Sequence, residues 1–275
     1  MAAILLRFPQ NKRKAFTLSY DDGTIHDKRL VETMERYGIK GTLNINTANV
    51  GNGGEKMSWD EITALASSPS VEIAAHGYRH HSLASVEPGV ATYDVMKDRE
   101  VLETHLGRIV RGMAYANGSL SDGVVEILRN CGIEYSRTTV STEKFELPTD
   151  WLRLPATCHH NNPRLMELAR EFVEKQEEGY VWRNRPMLFY VWGHSHEFAR
   201  NDNWEILEEL CRYVGGRDDI WYATNGEIVA YVNAFRALRW SHDQSIVHNP
   251  TATEVSFAID HKVVSIPAGA TLRVM

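Results

Sequence analysis

The sequence predicts a parallel β/α fold of the barrel type, and three observations carry that prediction. Apolar, strand-like runs alternate regularly with helix-spaced segments from about residue 14 to about residue 238, with no linker between them. One run, Met187 to Trp192, is apolar throughout, as a parallel strand covered on both faces must be. Polar, chemistry-bearing residues also recur where the strands end, which is where β/α barrels carry their sites.

The elements follow in order. Phe16 to Tyr20 reads as a buried strand that ends in Asp21-Asp22-Gly23. Ile25 to Tyr37 has helical spacing through Leu30, Val31 and Met34, and Gly38 closes it. Gly41 to Thr47 is a second strand. A glycine-rich loop then leads to Ser58 and Glu61, a capping box for a helix ending near Ser67. Val71 to Ala75 is a third strand and runs into His76-Gly77-Tyr78-Arg79-His80-His81. Thr92 to Leu106 is a long helix stopped by Gly107. Arg111 to Tyr115 is a fourth strand, and Ser121 caps a helix ending near Cys131-Gly132. Ile133 to Thr139 and Trp151 to Ala156 are further strands. Pro163 to Glu178, Trp204 to Tyr213 and Gly226 to Leu238 are helices, and Ile220 to Thr224 is the last barrel strand.

From Ser241 the pattern changes. Val255, Phe257 and Ile259 alternate, Asp260-His261-Lys262 turns, Val264 and Ile266 follow, and Pro267 to Gly269 turns again before Leu272 and Val274. The expected division is a barrel over residues 1–240 and a small C-terminal β appendage over 241–275, packed on the barrel.

Composition narrows the function classes. The 275 residues are 43% hydrophobic and 24% charged, enough for one large core. A formal net charge of −6 without a basic run argues against nucleic acid and anionic membrane as partners. No apolar run reaches about 18 residues, and the opening run is too short for a signal peptide. Cys131, Cys158 and Cys211 show no Cys-x-x-Cys spacing and read as reduced, structural thiols. The expected location is therefore cytoplasmic.

The chain is organised around Asp21-Asp22-Gly23. Adjacent carboxylates repel, so a strand end gains nothing from them unless something offsets the charge. A bound cation would do so, with one Asp as ligand and the other free as a base. A solvated turn is the competing reading, since Asp-Asp-Gly is good turn chemistry. His76 and His80, spaced i, i+4 after the third strand, can face one point across a turn of helix-like chain. Two histidines and a carboxylate make a three-ligand set that leaves positions open for water and substrate. Tyr115 and Asn117 stand at the end of the fourth strand, and Gly193-His194 follows the Met187–Trp192 strand.

These residues resemble a known family. Ser19-Tyr20-Asp21-Asp22-Gly23 resembles the first motif of the polysaccharide deacetylases (NodB-like, family 4 carbohydrate esterases), and His76-Gly77-Tyr78-Arg79-His80 resembles their His-x-x-x-His motif. Met113 to Gly118 stands at the third motif, and Trp192-Gly193-His194-Ser195 is similar to the last. The resemblance implies an irregular (β/α)7 barrel that removes N- or O-acetyl groups from carbohydrates. It implies one divalent cation, Zn²⁺ or otherwise Co²⁺, Ni²⁺ or Mn²⁺, on Asp22, His76 and His80. Asp21 would be the general base and His194 the general acid. A backbone N–H of the third motif, here at Asn117, would be the oxyanion donor. The sequence departs from the family at Ala114, where an Arg orients the base, and at Ala116, where a Pro stands. Arg137 and Arg153, both at strand positions, are the candidates for the missing Arg. Asp150-Trp151 is only superficially similar to the fourth motif, and a plain loop is the simpler reading.

Other features take structural readings: Cys158-His159-His160 without a second Cys pair, and His81 and His196 as pocket lining or solvent-facing. Trp59, Tyr78 and Trp192 are candidates for sugar stacking or for core. The alternative activity is an amidohydrolase of the same fold acting on a small non-sugar amide. A non-heme iron oxygenase fits the ligand set but not the parallel β/α pattern. A non-catalytic carbohydrate-binding relative would not need Asp21 or His194.

Overall fold

The computed structural model describes residues 3–260 and 262–274. The barrel strands in chain order begin after β1 (Ile4–Arg7), with β2 (Lys14–Asp21) at the centre. Helix α1 (Asp27–Arg36) leads to β3 (Gly41–Ile45), α2 (Trp59–Ala66) to β4 (Val71–Ala75), and α3 (Pro88–Leu106) to β5 (Gly112–Ala114). Then come α4 (Asp122–Asn130), β6 (Tyr135–Ser141), β7 (Leu154–Ala156), β8 (Cys158–His159), α5 (Leu165–Glu174) and β9 (Met187–Gly193). Helices α6 (Ser195–Asn201) and α7 (Glu205–Val214), strand β10 (Ile220–Tyr222) and α8 (Asn225–Arg236) complete this part.

The sheet order is β7-β6-β5-β4-β3-β2-β9-β8, with β10 pairing on β2, and every pair in it is parallel. The fold is thus α/β, as expected. The ladder ends in β7 on one side and β8 on the other, yet these are one continuous segment broken at Thr157. Its first part pairs with β6 and its last with β9, and Thr157 donates to Tyr190 O and accepts from Glu143 N–H. The sheet therefore curls round on itself as an irregular barrel rather than closing in a regular ladder.

Side chains alternate across the sheet. Phe16, Leu18 and Tyr20 pack outward against Leu30, Val31 and Met34 of α1 and the surrounding helices. Inward, Tyr135, Leu154, Leu188 and Tyr190 meet Ile228, Val229 and Val232 of α8. The predicted caps form: Ser58 with Glu61 on α2, and Gly107 in left-handed conformation (φ 63°) ending α3. Helix α3 begins at Pro88, earlier than its periodicity indicated, because proline is well suited to the first helical turn.

The tail carries β11 (Arg239–Trp240), β12 (Ile246–His248), β13 (Val255–Ile259), β14 (Lys262–Ile266) and β15 (Thr271–Arg273). Its sheets are β1-β13-β14 and β11-β12-β15, so the N-terminal strand pairs with the tail rather than with the barrel. Their shared core includes Val247, Phe257 and Ile266, packed with Ala234 of α8 and Leu238 just beyond it. The predicted turn at 260–262 includes His261, which lies outside the described residues. Among the described residues no helix is long and apolar enough to cross a membrane.

Candidate active site

Asp21 ends β2 with its side chain buried on the inner face of the sheet. Asn44 of β3 donates to its Oδ1 at 2.8 Å, and the fully buried guanidinium of Arg137 on β6 donates to its Oδ2. Arg137 also lies over the Trp192 ring, 4.2 Å from its centroid. Arg137, of the two candidates, is therefore the arginine that faces Asp21, reached from β6 instead of β5. Arg153 is bound to Asp150 and Asp122. Burial alone would raise the Asp21 pKa, but Arg137, His76 and His194 outweigh it and hold the carboxyl below its usual range.

Asp22 follows in left-handed backbone (φ 84°), and Gly23 (φ 61°) completes the turn. Lys56 Nζ donates to the Asp22 carbonyl at 2.9 Å and anchors this corner. The Asp22 carboxylate faces His76 Nε2 at 3.7 Å and His80 Nε2 at 3.6 Å. The histidines do not meet across a helix-like turn, as their spacing indicated. Gly77 (φ 80°) and His80 (φ 58°) both take left-handed conformations, and the short loop brings the rings together edge to face. The i, i+4 spacing matters because the loop is tight.

The donor set fits a cation. Two donors about 2.0–2.1 Å from a tetrahedral ion stand about 3.3 Å apart, close to the observed separations. His76 Nδ1 lies 2.9 Å from the Ala114 carbonyl, which can only accept, so this nitrogen carries the proton and Nε2 presents its lone pair. Burial pushes the His76 pKa down against the pull of Asp21 and Asp22, favouring the neutral ring that a ligand must be.

His194 stands at the end of β9 with Nε2 4.0 Å from Asp21 Oδ2. Its Nδ1 lies 3.5 Å from Glu197 Oε1. Burial opposes protonation, but Glu197, Asp21 and Asp22 together raise the His194 pKa. Asp21 is thus held toward its ionised form and His194 toward its protonated form. Asn117 sits exposed in the turn after β5 in left-handed backbone (φ 56°), and its side chain donates to Ser82 Oγ at 3.1 Å.

Glu197, which the sequence does not single out, draws His159 and His160, read from sequence as structural, together with His194. Glu197 lies 3.3 Å from His159 Nε2 and 3.0 Å from His160 Nε2, besides its contact with His194. The ring of His160 occupies the space where residue 193 would carry a Cβ, which is why glycine precedes His194. Trp192 lies buried under Arg137, Trp59 stacks on His105, and Tyr78 meets Tyr93, so each packs against protein. Trp151 donates to Asn233 and Asp150 caps the turn before β7, an ordinary loop role.

Fold and site together define the class: a parallel α/β fold with a cation-type donor set at the C-terminal ends of its strands. Residues 9–136 match the family model described as "Polysaccharide deacetylase". The match includes the first three motifs, whereas the last, at 192–195, lies beyond it. A Mycobacterium smegmatis protein described as a polysaccharide deacetylase shares the fold over 86% of this chain and 96% of its own, at 16% identity and TM-score 0.63. The Xyl-CE4 domain of a multidomain xylanase from the Trinervitermes trinervoides hindgut metagenome aligns over 81% of this chain and 92% of its own, at 13% identity and TM-score 0.54. A Streptococcus pyogenes deacetylase in complex with acetate aligns over 50% of this chain and 62% of its own, at 18% identity and TM-score 0.46. No protein of curated function matches the chain in sequence.

Proposed function

We propose that this chain is a metal-dependent deacetylase that hydrolyses N- or O-acetyl groups on a carbohydrate. The observation that carries the reading is the split between neighbouring carboxylates. Asp22 faces His76 and His80, while Asp21 faces Arg137 on one side and His194 on the other. Asp22, His76 and His80 would hold one divalent cation, with Zn²⁺ the best match to the donors. Such an ion supplies Lewis acidity toward the acetyl carbonyl and makes a water more acidic.

The protein's own groups do the rest. Asp21, kept ionised by Arg137, takes the proton of the attacking water. His194 gives a proton to the departing amine or alcohol. The backbone N–H of Asn117 is the candidate donor to the tetrahedral oxyanion. The buried, unpaired thiols of Cys131, Cys158 and Cys211 support a reducing, cytoplasmic setting. In such a setting a small non-sugar amide is the second substrate reading.

Acetate release from chitooligosaccharides, acetylated xylan and small amides tests the proposal. The reading requires release that stops on chelation and returns with Zn²⁺. Release confined to the small amides would favour the second reading, and none from any acetylated substrate would remove the activity altogether.

A further inference from the structure

Helix α3 packs two buried acids, Asp94 and Asp98, one turn apart against the loop that carries the histidines. Neither belongs to the donor set, and a carboxylate at such a position costs stability unless its oxygens are bonded. Asp98 Oδ1 accepts from Thr47 N–H at 2.9 Å and Thr47 Oγ1 at 2.7 Å. Its Oδ2 accepts from the backbone N–H of His76 at 2.9 Å, a donor shared with Ile45 O at 3.0 Å. Asp94 Oδ1 accepts from Arg79 N–H at 2.9 Å and faces His81 Nδ1 at 3.1 Å, while its own carbonyl accepts from Tyr78 N–H.

The two carboxylates therefore grip residues 76, 79 and 81, on both sides of His80, and the main-chain carbonyl of Asp94 holds residue 78. His80 itself is a non-glycine residue in left-handed backbone, a state that persists only where its surroundings fix it. The fit at Gly77 is as close: a Cβ there would come within 2.7 Å of Asp94 Oδ2. We propose that Asp94 and Asp98 are positioning residues that hold His76 and His80 in ligating geometry before any cation arrives. The inference rests on the functional reading above, in that it takes Asp22, His76 and His80 as the ligands.

The test is the dissociation constant for Zn²⁺, measured on the full chain by competition with a chromogenic chelator, with the metal-induced rise in melting temperature as a second readout. Loss of a group that orients a ligand weakens metal binding by about 10–100-fold. D94A and D98A should each show that loss with a smaller metal-induced rise. D94N, which keeps an acceptor for Arg79 N–H, should recover most of the affinity. T47V cuts a bond to Asp98 away from the ligand loop, so it should lower the melting temperature and leave the dissociation constant within about twofold. Should D98A not fold, the D94A and D94N pair still decides. Unchanged affinity in D94A, with binding in the parent protein abolished by H76A, would overturn this inference alone. No Zn²⁺ binding by the parent protein would overturn the functional reading and this inference with it.

Discussion

Two clusters in this molecule have the same composition and different chemistry. Asp22–His76–His80 and Glu197–His159–His194 each combine two histidines with a carboxylate, and in each the potential ligand atoms lie within 4.8 Å of one another. What separates them is the second nitrogen of the imidazole. His76 Nδ1 faces a carbonyl, so Nε2 is free for a cation. His159 Nδ1 accepts the backbone N–H of Asn161 at 3.1 Å, so its proton lies on Nε2, aimed at Glu197. The first cluster thus turns the His76 lone pair toward Asp22, whereas the second turns the His159 proton toward Glu197. Donor counting cannot tell them apart, but the neighbour of the far nitrogen can.

The largest expected effect breaks the first cluster. Asp22→Ala should cut bound Zn²⁺ below about one-tenth per chain and lower turnover by more than about 10³-fold, whereas Asp21→Asn should keep the metal and lose about 10²–10⁴ in kcat. Equal metal loss in both variants would make Asp21 a ligand. His194→Ala should also keep its metal and lose about 10²–10⁴ in kcat. Near-normal turnover there would shift the acid role to His196.

Arg137→Met leaves the Asp21 charge buried without its partner and should cost about 3–5 kcal/mol in urea unfolding. A loss under about 1 kcal/mol would mean that Asn44 alone suffices. Glu197→Gln sharpens the contrast between the clusters: metal content should stay at one per chain while kcat falls about 10-fold. Loss of metal in that variant would make the second cluster a cation site after all.

The smallest effect concerns pH. Burial, resisted by the Ser195 hydroxyl and the Thr24 backbone bond, pushes the Asp27 pKa up to about 7. The folded state then holds this proton more tightly than the unfolded chain. The group's contribution is therefore fully present below the unfolded pKa, declines as pH rises toward about 7, and is flat above. Asp27→Asn should flatten that part of the stability profile. Asp98, raised to about 7 in the same way, would keep the rest of the slope. An unaltered profile in Asp27→Asn would remove Asp27 as a titrating group.

The parts legible in sequence were those written in local patterns. The strand and helix alternation, the Ser58–Glu61 cap and the residues at the ends of β2, β4 and β9 all declare themselves over a few positions. Arg137 was only one of two candidates, because its inward orientation depends on the register of β6 against β5. Glu197 was missed because α6 is short, with His194 at its N-cap, and too brief to show helical periodicity. Asp94 and Asp98 sit on a long helix whose buried face mixes acids with Ala91, Val95 and Leu102, so their targets appear only when β4 is packed beside them. Strand β1 carries no local sign that its partner lies at Val255–Ile259.

On the proposed reading, the tautomers that the Ala114 carbonyl and the Asn161 N–H impose on His76 and His159 decide which cluster takes the cation. Anomalous diffraction from crystals grown with Zn²⁺ tests it most directly. One peak per chain is expected, bounded by Asp22, His76 Nε2 and His80 Nε2. A peak at Glu197, His159 and His194, alone or as a second site of equal occupancy, would contradict it.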